Sequence, residues 1–363
     1  MKVTVVSLHP LNDNRIYHFI RSLIRCNVKI NYINVSKTKY SLDVQFPITQ
    51  LDYNLNTHNP FSFFKTWRFV RREVKKSEGD IIHVHDLYLL PAVLGIKGKK
   101  VVFDRHERFE IIPSFLAKFF SWYERINISR ITGCVYTVEN EEEYLKNIGY
   151  KHLACIPNYQ SVEDFDKFSV YAVPSETINV VYIGSLSNVD RNIDLILEVY
   201  DRLLSEHSNV KCILGGKTSD AFVSDSIRVL TEKYKNFDYI GVCSHDDVIK
   251  YTMGSDVGLL FFRETPNTKC SSSNKLYEYL LGGTFFVGVG EFCLQDEILS
   301  KEAGIVFPYE TNAATICCEL NKIISNKADL QKKKKAAKEI GEMYIWENVC
   351  DRYMTMYNEI KQD

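Results

Sequence analysis

Residues 271–283, SSSNKLYEYLLGG, place an amide, a cation and a carboxylate at helical spacing. Ser271, Ser272 and Ser273 are helix N-cap types and Gly282-Gly283 end the helix, so Asn274, Lys275 and Glu278 fall in its first turns. Asn274 and Glu278 stand four apart and share a face. A helix N-terminus turns N–H groups outward and favours negative charge, so with Lys275 it suits a phosphate. Glu278 then accepts from two vicinal hydroxyls, as on a ribose. The same residues also suit a plain capped surface helix.

Two further stretches carry polar groups at the ends of apolar runs. In YIGSLSNVDRNIDLILE (182–198), Gly184-Ser185 lets backbone approach a phosphate, and Arg191 near the next helix start offers a planar fork for a diphosphate or, alternatively, a solvated side chain. In DIIHVHDLYLLP (80–91) and KVVFDRHERFEIIP (100–113), the residues His83, His85, Asp86, Asp104, His106 and Glu107 gather where strand ends meet a crevice. An imidazole there can donate a hydrogen bond to a ligand or share developing charge. His85 and Asp86 also suit scaffolding. In SLHPLNDNRIYHFIRSL (7–23), Asp13 is an N-cap type and Arg15 lies in the first helix turn.

These residues need rigid elements beneath them. Apolar β-branched runs (VTVVSL, VKINYINV, DIIHVH, KVVFD, CVYTV) alternate with helical patterns near 14–25, 61–76, 113–130 and 140–147, and after a Pro-containing interlude the rhythm restarts. INVVYIG, VKCILGG, FDYIGV, DVGLLFF and TFFVGVG then alternate with helices near 190–207, 222–235, 245–253 and 271–281. Such alternation predicts parallel sheets covered on both faces. The fold class is therefore α/β, with two Rossmann-like domains, 1–170 and 171–343, facing each other across a cleft. A last helix, about 344–363, is expected to pack back on the first domain. Ligands of open α/β sheets bind outside the carboxyl ends of the strands, so two facing sheets suit transfer of a group between two molecules.

The length of 363 residues and a composition of 45% hydrophobic and 25% charged residues exclude a small binding module, disorder and fibrous repeats. The net charge of −1 conceals a split: residues 1–170 carry 24 basic and 18 acidic side chains, and the rest 21 and 28. The basic excess centres on PFSFFKTWRFVRREVKK (60–76), where Phe63, Trp67, Val70 and Val74 share one arc and Lys65, Arg68, Arg72 and Lys75 the other. That helix reads as core-facing with a solvated basic side, or as a surface helix lying on anionic lipid, with the aromatic stretch at 113–126 contributing. The KKKK run at 332–335 reads as a solvated helix face. The ten cysteines are scattered with no zinc spacing, and no apolar run reaches membrane-span length, so a reduced, cytoplasmic protein with at most peripheral membrane contact is expected. The D-x-D pair, Asp164 and Asp166, lies in the interlude rather than at a strand end, so no metal clamp for a diphosphate is expected.

The segment NKLYEY resembles the N-K-L-[FY]-E-Y signature of retaining glycosyltransferases of the GT-B fold, family 4 type, along nearly the full chain. GSLSNVDRN resembles the family's G-[SR]-L-x-x-x-[KR]-G motif, with Ser185 where many members have Arg and Asn192 where many have Gly. DRHE resembles its D-x-H-E sequence, and 237–262 its base-cradling stretch. The resemblance implies a retaining transfer of sugar from a UDP- or GDP-sugar to a glycan or lipid-linked acceptor in cell-surface polysaccharide synthesis, without metal, cofactor or nucleic acid. It implies donor binding by Glu278, Lys275, Asn274, Ser273, Arg191, Gly184 and Ser185, and catalytic roles for His106, Glu107 and Asp13 beside acceptor-side His85, Asp86 and Arg15. Cys270 stands where the family has its first glutamate, eight residues before Glu278. An epimerase on the same fold and a non-catalytic GT-B partner protein are the alternatives.

Overall fold

The computed structural model describes residues 1–11, 13–35, 49–52, 60–106, 114–171, 176–270 and 272–363. The chain divides into two units, one of residues 1–157 with 347–363, the other of residues 158–346.

The first unit starts β1 (Lys2–Ser7), α1 (Asn14–Arg25), β2 (Lys29–Asn34), β3 (Thr49–Asp52), α2 (Pro60–Lys76), β4 (Ile81–Val84) and α3 (Leu90–Val93). It continues with β5 (Lys100–Arg105), α4 (Phe115–Ile126), β6 (Gly133–Tyr136), α5 (Glu142–Ile148) and β7 (His152–Cys155). All seven strands are parallel, in the order β3-β2-β1-β4-β5-β6-β7. Helix α1 shows why sequence becomes structure here. Asp13 caps it, accepting from the Arg15 and Ile16 N–H groups, and Ile16, Phe19, Ile20 and Leu23 recur at helical spacing to bury one face.

The second unit begins with α6 (Val162–Asp166), β8 (Ile178–Ile183), α7 (Ile193–Glu206), β9 (Val210–Gly215), α8 (Ala221–Lys233), β10 (Phe237–Gly241) and α9 (His245–Met253). It continues with β11 (Val257–Phe261), α10 (Asn274–Leu281), β12 (Phe285–Val289), α11 (Gln295–Ser300), β13 (Gly304–Phe307), α12 (Ala313–Ile324) and α13 (Lys327–Gly341). Its parallel sheet runs β10-β9-β8-β11-β12-β13. The chain then returns to the first unit as α14 (Asp351–Gln362), whose Tyr353, Met356, Tyr357 and Ile360 are buried.

Each order reverses at its centre, between β1 and β4 in one sheet and between β8 and β11 in the other. These switch points are where crevices open in doubly wound sheets.

The division differs from the expected one at 170/171 and 343/344. Residues 158–170 sit with the second unit because Phe165 packs against Ile249, Met253 and Leu281. The KKKK run is not wholly solvated either: Lys334 pairs with buried Asp256 at 2.8 Å and Lys333 with Glu302 at 2.6 Å. Helix α2 turns Val70 and Val74 into the core, and Trp67 Nε1 donates to the Tyr88 carbonyl at 2.8 Å. Its apolar arc therefore faces protein.

Candidate active site

In the second unit the switch point is lined by glycine. Gly216 has φ +138°, and a Cβ there would lie 2.0 Å from the Gly184 carbonyl oxygen, so only glycine fits. Gly184 has Lys275 against it: a Cβ on Gly184 would meet Lys275 Cε at 3.4 Å. Ser185 is exposed, and its carbonyl accepts from the Tyr182 hydroxyl at 2.8 Å.

Helix α10 starts beside this strand end. Ser273 occupies the N-cap with its side chain making no capping hydrogen bond, and the Leu276 N–H donates to its carbonyl at 3.1 Å. Lys275 Nζ donates to Glu278 Oε2 at 2.5 Å, with Glu278 only 4% exposed. The two residues expected to share a donor nucleotide thus already hold each other. Asn274 is half-buried in the first turn.

Arg191 is fixed by backbone. The Asn192 N–H donates to the Phe261 carbonyl at 2.9 Å and the Arg263 N–H to the Asp190 carbonyl at 3.1 Å, which folds residues 190–192 over the end of β11. The guanidinium carbon then sits 4.6 Å from the Phe262 ring centroid, a cation–π contact. Sequence reading found Arg191 but not Phe262. Its signal was its place directly after a buried strand. Cys270 ends a short 3₁₀ turn, Thr268–Cys270; its side chain, like Ser271, lies outside the described residues.

In the first unit Asp104, with no exposure, is the hub. Arg15 meets it with Nη2 at 2.8 Å and Nε at 3.1 Å, and Arg15 Nη1 donates to the Ile156 carbonyl at 2.9 Å. His85 Nδ1 lies 3.3 Å, His83 Nε2 3.6 Å and His106 Nδ1 3.8 Å from the carboxylate. Tyr357 of α14 bonds His83 Nδ1 at 2.6 Å, and Phe19 covers both buried imidazoles. Burial would raise the Asp104 carboxyl, but Arg15 and the three histidines outweigh it and hold it well below the usual range. Burial dominates at His85 and His83, lowering both below the ordinary imidazole value.

This geometry changes several expected roles. His85 is sealed inside, which leaves it scaffolding rather than acceptor contact. Arg15 likewise serves Asp104. Asp13 spends one oxygen on the helix cap, at 3.1 and 3.2 Å from the Arg15 and Ile16 nitrogens. His106 keeps a partly exposed edge. Glu107 lies outside the described residues.

Beside His106 stands His9, which sequence reading left unassigned. The two rings meet edge to face at 5.4 Å, and His9 Nε2 lies 3.3 Å from Asp86 Oδ1. Asp86 is anchored from behind by the Leu8 N–H at 2.6 Å. Burial would raise Asp86, but His9 and His106 outweigh it, and the carboxyl lies below its usual value. The strand-end rule that found His106 applies equally to His9, two residues past β1.

Residues 14–159 match Glycosyltransferase Family 4. No curated protein matches the chain in sequence. Among solved structures, a sucrose-phosphate synthase from Thermosynechococcus elongatus aligns over 100% of this chain and 99% of its own, with TM-score 0.74 and 14% identity. HepE from Anabaena, solved with UDP and glucose, aligns over 99% and 100% at TM-score 0.72 and 10% identity. WaaG, a glycosyltransferase of lipopolysaccharide biosynthesis, aligns over 97% and 99% at TM-score 0.71 and 11% identity. Residues 14–159 thus resemble Glycosyltransferase Family 4, and the chain has, over nearly its full length, the two-unit GT-B fold of these solved structures.

Proposed function

We propose that the protein moves a sugar with retention from a UDP- or GDP-sugar to a glycan on a lipid-linked acceptor, in the synthesis of a cell-surface polysaccharide. The observation that carries this reading is the Lys275–Glu278 pair lying over Gly184 at a sheet's switch point. On donor binding Lys275 turns to the diphosphate, where Arg191 and the α10 N-terminus add positive charge. Glu278 is then left for the ribose, and Asn274, Ser273 and Ser185 complete the donor contacts. The anomeric C–O bond to the diphosphate breaks and a bond to the acceptor oxygen forms on the same ring face, while the acceptor proton passes to the departing diphosphate oxygen. His106, near Asp104, hydrogen-bonds the sugar through its oxocarbenium-like stage, and Glu107 and Asp13 take the catalytic parts that the family resemblance implies. The cationic side chains take the role a metal clamp has elsewhere, so transfer is expected to survive chelation. HepE was solved with UDP and glucose, which supports a nucleotide-sugar donor.

The test is a panel of UDP-, GDP- and other nucleotide-sugars, followed by calorimetry and by transfer to membrane extract. One nucleotide class should bind, and Glu278→Ala should weaken it about ten- to hundredfold, the value of a charged hydrogen bond. His106→Ala should lower turnover about a hundredfold with smaller change in donor affinity. No donor hydrolysis and no transfer with any donor would sink the reading.

The lipid-linked acceptor implies work at the cytoplasmic face of a membrane. Among the described residues no helix is long and apolar enough to cross one. Peripheral docking is supported by a basic hollow on α2, lined by Arg68, Arg71, Arg72, Lys75 and Lys76. Helix α4, which meets α2 through Trp67 and Phe120, exposes Phe115, Leu116, Phe119, Trp122 and Ile126. Basic and apolar surface thus lie on neighbouring helices, as an anionic lipid interface favours.

A further inference from the structure

We propose that His9, Asp86 and His106 form a binding site for a zinc-class divalent cation, with a fourth position open to solvent. Their strands β1, β4 and β5 are neighbours in the sheet, and each releases its ligand one or two residues past its end. One ligand atom from each residue lies within 4.8 Å of the others. The His9 Nε2 to Asp86 Oδ1 distance is 3.3 Å, about the spacing between ligands around tetrahedral zinc with bonds near 2.0–2.1 Å.

The surroundings have the form of an outer shell. Asp13 Oδ2 lies 3.7 Å from His9 Nδ1, and Asp104 Oδ1 lies 3.8 Å from His106 Nδ1. Both carboxylates stand near an Nδ1 atom but beyond hydrogen-bond distance, so a modest ring rotation would let Asp13 orient His9 with Nε2 toward the cation, as carboxylates orient zinc-bound histidines, while Asp104 stays with Arg15. Asp86 is held in turn by the Leu8 N–H. Two imidazoles and one carboxylate suit zinc better than magnesium or calcium, which take oxygen ligands.

A second triad, His83, His85 and Asp104, carries the same ligand types. It is fully buried and its carboxylate already holds Arg15, so it offers neither entry nor spare negative charge. The outer triad has His9 with a side chain 40% exposed and Asp13 as an additional carboxylate.

Because His106 is the imidazole assigned to the transferred sugar, bound zinc withholds it, and zinc is an inhibitor. That consequence rests on the function proposed above; binding itself does not. The test uses the full chain, stripped with chelator and titrated with Zn2+ by calorimetry, with Co2+ as a spectroscopic probe. One zinc per chain is expected, and the cobalt form should show the intense visible bands of four-coordinate geometry. His9→Gln and Asp86→Asn should each weaken binding at least a hundredfold, with thermal unfolding as the check on folding. Asp13→Asn, which keeps the helix cap, should weaken it about tenfold. Failure to bind one zinc overturns the site. So does zinc binding unchanged in both ligand variants, which would place the metal elsewhere, as at the exposed thiols of Cys26 or Cys318. Zinc binding without any sugar transfer would leave the site standing and defeat the functional reading instead.

Discussion

Strand alternation gives two neighbouring residues of one motif opposite duties. In DRHE, Asp104 faces Arg15 and the histidines, while Arg105 faces the other side of the sheet, where Nη1 lies 3.4 Å from Glu141 and Nε 3.5 Å from Glu124. Arg105 is 1% exposed, and Tyr150 donates to Glu124 at 2.6 Å. Removing the guanidinium takes a positive partner away from two buried carboxylates. Arg105→Ala should therefore cost about 3–5 kcal/mol, read as a lower denaturation midpoint. Sequence reading placed Asp104 and His106 at a strand end but could not separate the two faces. A motif shows which residues are polar, and only the sheet shows which way each points.

Among elements, the central strands were legible because burial on both faces makes them continuous apolar runs. The short strands β3 (TQLD), β7 (HLAC) and β13 (GIVF) were not, since all three lie at sheet edges, where fewer residues must be apolar. Helix α7 starts at Ile193 rather than near 190 because residues 190–192 pair with the end of β11. Helix α14 packs tightly enough for one glycine to report on it. A Cβ on Gly133 would lie 2.7 Å from Ile360 Cδ1 and 3.1 Å from Met356 Sδ. Gly133→Ala should destabilise the first unit by about 1–3 kcal/mol, and Ile360→Val in the same chain should recover part of that loss, measured by chemical denaturation.

Of the two expected readings of α2, its arc follows the core-facing one, and the exposed apolar residues lie on α4. Trp122 is 55% exposed and Phe119 44%, so their replacement removes little packing. Phe119→Ser with Trp122→Ser should reduce cosedimentation with anionic vesicles severalfold while leaving the melting temperature within a few degrees. Charge reversal at Arg68 and Arg72 should do the same and abolish the salt dependence. Unchanged binding in both variants would count against membrane docking.

At the scale of the molecule, the chain leaves its first unit after Pro157 and re-enters it at Glu347, so the second unit is a contiguous insert of residues 158–346. Its two ends lie side by side within it: Gln160 and Ile345 form a parallel bridge, and the Trp346 N–H donates to the Gln160 carbonyl at 2.9 Å. It has its own continuous core, built around β8, β11, β12 and the helices flanking them. Every donor residue assigned above lies inside it. Residues 158–346 expressed alone should therefore unfold in one cooperative transition and retain the nucleotide affinity of the full chain within a few fold, with the same sensitivity to Glu278→Ala. Residues 1–157 alone lack α14 and the Tyr357 hydroxyl that pairs with His83, so they should fold poorly unless residues 347–363 are joined back by a short linker. An isolated second unit that folds but binds nucleotide a hundredfold more weakly would show that donor affinity depends on groups outside it.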